Sequence, residues 1–245
     1  MMIKAHWIRK AHRWIGLMFS ITVLMSSGSG LIHLWMSRSQ PAPPPLAARA
    51  SLSHIDVDAI TVSAVDVMKL IKKQRSSALA KEIHLRQISG QPWYQVFLHG
   101  DQKATYVNGV TGEVNDAMDE QYAREIALGA LGTEAIEQRA YLTQYNSEYI
   151  AIFRILPVYR FDSNDAMGRR VYVSTLTGSV TRATDDQKQW EADLFSNFHK
   201  WQFISHKNLR DCLLGCATLG SFFVSILGIW LFFITGKSKR ARIGS

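Results

Sequence analysis

The sequence predicts an α+β fold in which two transmembrane helices flank an outer domain of two similar helix-plus-antiparallel-sheet repeats. Three observations predict it. Two apolar blocks, each 23 residues long and free of Asp, Glu, Lys and Arg, run from Trp14 to Met36 and from Cys212 to Ile234. Basic residues cluster outside both blocks, and between them a pattern of helical periodicity followed by short β-rich runs occurs twice.

A helix of that length rises about 34 Å, enough to cross a hydrocarbon core of roughly 30 Å. The first block is longer than the core of a cleaved signal, and the cleavage-like triplet ending at Ala50 carries Arg49, so the block is read as an uncleaved anchor. Lys4, Arg9, Lys10 and Arg13 precede the first block, and Lys237, Lys239, Arg240 and Arg242 follow the second. Positive flanks stay inside, which places both termini in the cytoplasm and the centre of the chain outside. These clusters explain most of the net charge of +8. Lipid headgroups, rather than nucleic acid, are the expected partner. Cys212 and Cys216 lie one helical turn apart and read as small packing residues.

The expected layout is then a basic cytoplasmic start at 1–13, a transmembrane helix at 14–36, a linker at 37–50, two repeats at 51–118 and 119–185, an amphipathic segment at 186–211, a second transmembrane helix at 212–235 and a basic tail at 236–245. Pro41, Pro43, Pro44 and Pro45 make the linker an extended spacer. The first repeat reads as a helix over 58–74, then strands in "EIHLRQI", "PWYQVFL" and "ATYVNGVTGEV". The second reads as a helix in "EQYAREIALGALG", then strands in "EYIAIFRI", "PVYRF" and "RRVYVSTLTGSV". Aligned, Pro92, Tyr94, Tyr106, Val107, Thr111, Gly112 and Val114 fall on Pro157, Tyr159, Tyr172, Val173, Thr177, Gly178 and Val180. Each Thr-Gly pair is expected to turn the chain, with glycine taking positive φ.

Of eight histidines, His54, His84 and His99 lack companions at metal-ligand spacing, and His6 sits in the basic arm. His33 is different because it lies inside an apolar block, where a titratable side chain is costly without a partner. Its helical face continues through Gly30, Ser29, Ser26 and Thr22. That strip suits either an axial histidine beside a porphyrin, with Gly30 giving the plane room, or a contact face for another helix. If Arg13 and Lys237 mark one interface, His33 lies level with Ala217, and His206 is about 16 Å further out. Two axial nitrogens of a haem stand only about 4 Å apart. A straight second helix is therefore not expected to bring His206 opposite His33. Either the chain breaks after His206 and folds back, or a homodimer supplies one His33 from each copy; the dimer needs no special bend and is preferred, and the stripe Ala217, Ser221, Ser225 and Gly228 is a candidate assembly surface. His12 reads as a second haem position near the inner surface or as an interfacial residue. His199 and His206 could line the outer mouth, with Asp185, Glu191 and Asp193 completing an iron dock, while Phe195, Phe198, Trp201 and Phe203 read as amphipathic anchoring.

The strand–"YV"–"TG-x-V" pattern resembles the PepSY repeat. Two such units between a helix beginning "RKAHRWIGL" and one ending "IWLFFITG" are similar to the PepSY-TM family of bacterial inner-membrane proteins. The resemblance implies haem b, histidines placed as in "AHRWIGL" around His12 and "NFHKW" around His199, and reduction of ferric iron or ferric siderophores. The expected function is a haem ferric reductase that delivers electrons to periplasmic ferric iron and supplies ferrous iron to a separate transporter. Only 13 residues precede the first apolar block, too few for a flavin or nicotinamide domain, so a membrane quinol or a cytosolic reductase is the expected electron donor. PepSY repeats also resemble propeptide-type binding modules, which implies the alternative of a non-enzymatic, membrane-anchored regulatory protein.

Overall fold

The computed structural model describes residues 2–39 and 54–243. The prolines at 41, 43, 44 and 45, expected to form the spacer, lie outside the described residues. The chain divides into two compact units, one of residues 1–41 with 190–245 and one of residues 42–189.

The first unit is helical. α1 (Met2–Ser39) and α5 (Lys207–Ile243) have 38 and 37 residues, and each contains a stretch long and apolar enough to cross a membrane. Their outward faces are bare: Leu24, Leu31, Phe222 and Phe232 are among many exposed apolar side chains. Two such helices, one near each end, fit a membrane-anchored two-pass protein.

The two helices pack antiparallel through glycine. Gly16 lies against Val224, Gly220 against the ring of Phe19, and Gly228 against His12. This register corrects the level expected from the flanking charges. Each step up α1 is matched by an equal step down α5, so His33 comes level with the start of α5, near His206 and Lys207, and not with Ala217. Steric fit at Gly220 and Gly228 sets the pairing, because close backbone approach is possible only where the side chain is missing. The stripe expected for dimer assembly is partly consumed within the chain, since Ala217 is buried and Gly228 receives His12.

α4 (Asp186–Lys200) ends in this unit, and the chain reverses at Trp201, whose φ is +52°. Side chains of its last turns meet α1, as described below.

The second unit holds two antiparallel sheets. β1 (Ala80–Ile88), β2 (Gln91–Leu98) and β3 (Thr105–Asn108) form the first in sequence order, preceded by α2 (Ala64–Gln74). β4 (Ile136–Leu142), β5 (Val158–Ser163), β6 (Arg170–Ser174) and β7 (Ser179–Thr184) form the second, preceded by α3 (Met118–Leu131). α2 begins later than the periodicity suggests. The Ser63 side chain accepts the Asp66 N–H and so caps the helix at Ala64.

The repeat is visible in the register. Tyr94 pairs with Val107 and Val107 with Val114; Tyr159 pairs with Val173 and Val173 with Val180. Gly112 and Gly178 turn the chain at φ +74° and +62°, as the Thr-Gly pairs require. Gly178 is also a close approach, for a methyl there would collide with the Tyr122 hydroxyl of α3.

Each helix covers the same face of its own sheet. Val67 and Ile71 of α2 pack on Tyr94, Val96 and Val107; Ala123, Ile126 and Ala127 of α3 pack on Tyr159, Phe161 and Val173. α3 is shared, because the other face of the first sheet, with Trp93 and Tyr106, also closes on it. The layers therefore run α2, first sheet, α3, second sheet. Burial of β2 on both faces explains why its sequence reads as a nearly continuous apolar run.

One strand lies where the sequence did not suggest it. β4 is Ile136–Leu142, whereas the expected strand at 148–155 is a loop with one 3₁₀ turn at Ala151–Phe153. Asn146 Oδ1 accepts the Glu148 and Tyr149 N–H groups, and the buried Tyr149 donates its hydroxyl proton to Ile155 O. Local side-chain bonds thus outcompete pairing there, and the Tyr149 ring, stacked on Tyr172, covers the outer face of the second sheet.

Candidate functional site

The apolar helix α1 carries a polar face, and α4 supplies its partners. Side chains one turn apart on α4, Glu191, Phe195 and His199, meet Ser37, His33, Ser29 and Ser26 of α1 in antiparallel order. The spacing of four on one helix and three to four on the other puts each set on one face.

His33 lies 2.7 Å from Glu191, its Nδ1–H donating to Oε1. Ser37 donates to the same oxygen at 3.3 Å. A carboxylate accepts and cannot donate, so Nδ1 carries a proton and Nε2 is the ring nitrogen left to bind a metal. Glu191 is buried while the imidazole is 53% exposed, so Nε2 has an open side. Gly30, one turn below, has nothing within 4 Å of where a Cβ would stand.

His199 meets α1 through two serines. Its Nδ1 is 3.3 Å from Ser26 Oγ and 3.4 Å from Ser29 Oγ. Ser29 gives its proton to Ser26 O at 2.9 Å and can only accept from His199, whereas Ser26 Oγ can either accept from Nδ1–H or donate to Nδ1. Phe195 stands between the two imidazoles, 5.2 Å from His33 and stacked at 4.6 Å on His199. With a phenyl ring between them, these two histidines do not share one metal.

The remaining candidates fall elsewhere. His206 caps α5, where its Nδ1 accepts the Leu209 N–H at 3.3 Å. That bond puts the ring proton on Nε2, the reverse of the arrangement at His33. His12 Nε2 would be 3.1 Å from a Cβ on Gly228, so its ring lies against α5. Asp185, in the sheet unit, bonds Lys188 through its backbone N–H and its ammonium. Asp193 is exposed on α4. Among the described residues no three His, Cys, Asp or Glu side chains come close enough to hold a metal ion.

Glu191 was visible in the sequence as an iron ligand but not as the partner of His33. The signal that could have found it is the four-residue period Glu191, Phe195, His199, matched to the period of His33, Ser29 and Ser26.

No family model matches the chain, and neither does any curated protein or solved structure.

Proposed function

We propose that the protein is a haem b ferric reductase of a bacterial inner membrane, in which His33 would hold the haem. The observation that carries this reading is the His33–Glu191 pair. Histidines that bind metal commonly donate the other ring N–H to a carboxylate, which fixes the tautomer, orients the ring and raises its basicity. Here the pair sits on a helix apolar enough to span a membrane, with Nε2 open and clear space beside Gly30. These residues fit a haem.

Haem supplies a one-electron couple near the outer side of the membrane, suited to reducing ferric iron to ferrous iron for a transporter. The chain's own groups do the rest. Glu191 holds His33 and Ser37 holds Glu191, while the bare apolar faces of α1 and α5 keep water and competing oxidants away. A second copy, packed about a twofold axis, supplies the second imidazole at the exposed side of His33. Both termini lie in the cytoplasm, as the basic flanks require, and a lipid-soluble or cytosolic reductant provides electrons.

The matched pairings of Tyr94–Val107 and Tyr159–Val173 support PepSY-like repeats in the outer domain. They also support a second reading, in which that domain binds a protein partner and the helices serve only as anchors.

The two readings part in one assay. Full-length protein in nanodiscs, reduced anaerobically and mixed with ferric citrate, should form ferrous iron, trapped as a coloured chelate, and His33→Ala should lose at least nine-tenths of that rate. Equal rates in both proteins would remove the reductase.

A further inference from the structure

A tight turn would suffice to join β4 to β5, which pair antiparallel as far as Leu142 and Val158, yet residues 143–157 intervene, a loop of 15 residues. Its inner side is accounted for. Tyr149 is buried, stacked at 4.8 Å on Tyr172 and at 5.1 Å on Phe153, with its hydroxyl 2.9 Å from both Ile155 O and Thr181 Oγ1. Glu148 is turned inward to Arg170.

The outer side is not used by the sheet. Ile150 is 40% exposed and Ile152 71%, on either side of Ala151 at the 3₁₀ turn. Arg154 ends that turn at φ +60°, a left-handed position that glycine takes without strain and a long side chain rarely adopts. Its side chain is exposed, and among the described residues no carboxylate pairs with it. With Glu148 turned inward, the one exposed charge of the loop is positive, beside two aliphatic side chains and the exposed Tyr145. That composition matches the edge of a bilayer, where aliphatic side chains enter the acyl boundary, tyrosine sits at headgroup level and a guanidinium binds phosphate.

Chain connectivity selects lipid over a soluble partner. The loop stands beside the start of α4, because Arg182 lies 5.0 Å over the Phe153 ring and donates to Gln189 Oε1 at 2.8 Å. Beyond Gln189, only the rest of α4 and residues 201–206 precede the apolar helix α5. So short a tether keeps a lipid surface at high local concentration.

We propose that the 143–157 loop docks on the outer leaflet of the membrane, with Ile150 and Ile152 entering the headgroup boundary and Arg154 on the phosphates of anionic lipid. The proposal rests on the reading of α1 and α5 as membrane spans and is independent of haem.

The test uses the full chain in nanodiscs of phosphatidylcholine with anionic phosphatidylglycerol. Cys212 and Cys216 are replaced by alanine, and one spin label is attached through Leu24→Cys, Val65→Cys or Ile152→Cys. Leu24 is exposed on α1, and Val65 is exposed on α2, at the other end of the layers from the loop. Power saturation compares access of oxygen, which concentrates in lipid, with access of a water-soluble nickel chelate. The labels at 24 and 152 are expected to favour oxygen, and the label at 65 nickel. Arg154→Gly relieves the strained turn, so thermal stability should hold or rise, while the ratio of docked to free loop falls about fivefold, the worth of one arginine at an anionic surface. Nickel access at 152 equal to that at 65, with 24 in lipid, would overturn the proposal and leave the membrane reading intact; nickel access at all three would overturn both. Shielding at 152 that vanishes when each disc holds a single chain would place a second copy there instead of lipid. Shielding that Arg154→Gly leaves unchanged would overturn the phosphate contact and with it the assignment to anionic lipid.

Discussion

His33 presents Nδ1 to Glu191 at 2.7 Å, and this one bond leaves Nε2 as the nitrogen able to take a metal. Because Glu191 is buried and also accepts from Ser37, its position is set independently of the histidine. Glu191→Gln keeps an oxygen in place but removes the charge. Haem affinity, measured by titrating the apo protein, should fall about 10- to 100-fold, the usual cost of losing such a partner. Unchanged affinity would mean that the carboxylate serves α4 packing alone.

Gly220 and Phe19 set the register of α1 against α5, since a methyl at 220 would fall inside the ring. Gly220→Leu should therefore destabilise the helical unit by about 1–3 kcal/mol, as overpacking does. Thermal unfolding in detergent measures it. Phe19→Ala in the same chain should restore part of the loss, and no rescue would place the strain elsewhere.

Asp119 joins the two sheets through α3. Tyr106 donates to Oδ1 and Tyr159 to Oδ2, both at 2.8 Å, and all three residues are buried. Burial, followed by the charge of Asp119, raises the pKa of both phenols well above the ordinary value, so they remain donors. Asp119→Ala leaves two buried hydroxyls without an acceptor and should cost about 2–5 kcal/mol in urea unfolding. Replacing both tyrosines by Phe in that background should recover stability.

Glu148 gives the domain an acid limit. Burial pushes its pKa up, but hydrogen bonds from Arg170 and Tyr172, with the charges of Arg170 and Arg160, outweigh burial and hold the carboxyl below its ordinary value. Such a group stabilises while ionised: its contribution is complete above the ordinary carboxylate range and is lost as pH falls through the lowered value. Glu148→Gln should cost roughly 1.5 to 3 kcal/mol near neutral pH, because Arg170 keeps Asp186 but loses the charge of its two-pronged partner, and should flatten the acid side of the stability profile. A profile parallel to the wild type would assign the acid limit to other carboxyls.

The parts of the fold that depend on local pattern were legible in the sequence. The two apolar helices follow from uncharged length, and the paired turns at Gly112 and Gly178 from the Thr-Gly repeat. β4 was not legible because Ile136–Leu142 alternates weakly and carries Glu137 and Arg139, while 148–155 has better strand formers. There Asn146 and Tyr149 bond the backbone locally and decide the outcome. The site was half legible. His33 stood out because it is polar within an apolar block, but its partner lies 158 residues away, and nothing in composition ties it to Glu191. The level of the helices was misjudged because flanking charges were used as the ruler, whereas the fit of Gly220 to Phe19 and of Gly228 to His12 sets it.

The most direct measurement is the visible spectrum of the full-length protein, purified after haem-supplemented expression, oxidised and then reduced with dithionite, beside His33→Ala. The expected result is a Soret band that moves on reduction in the wild type and is lost in the variant. A featureless wild-type spectrum, or an identical haem spectrum in both proteins, would contradict His33 as the haem ligand.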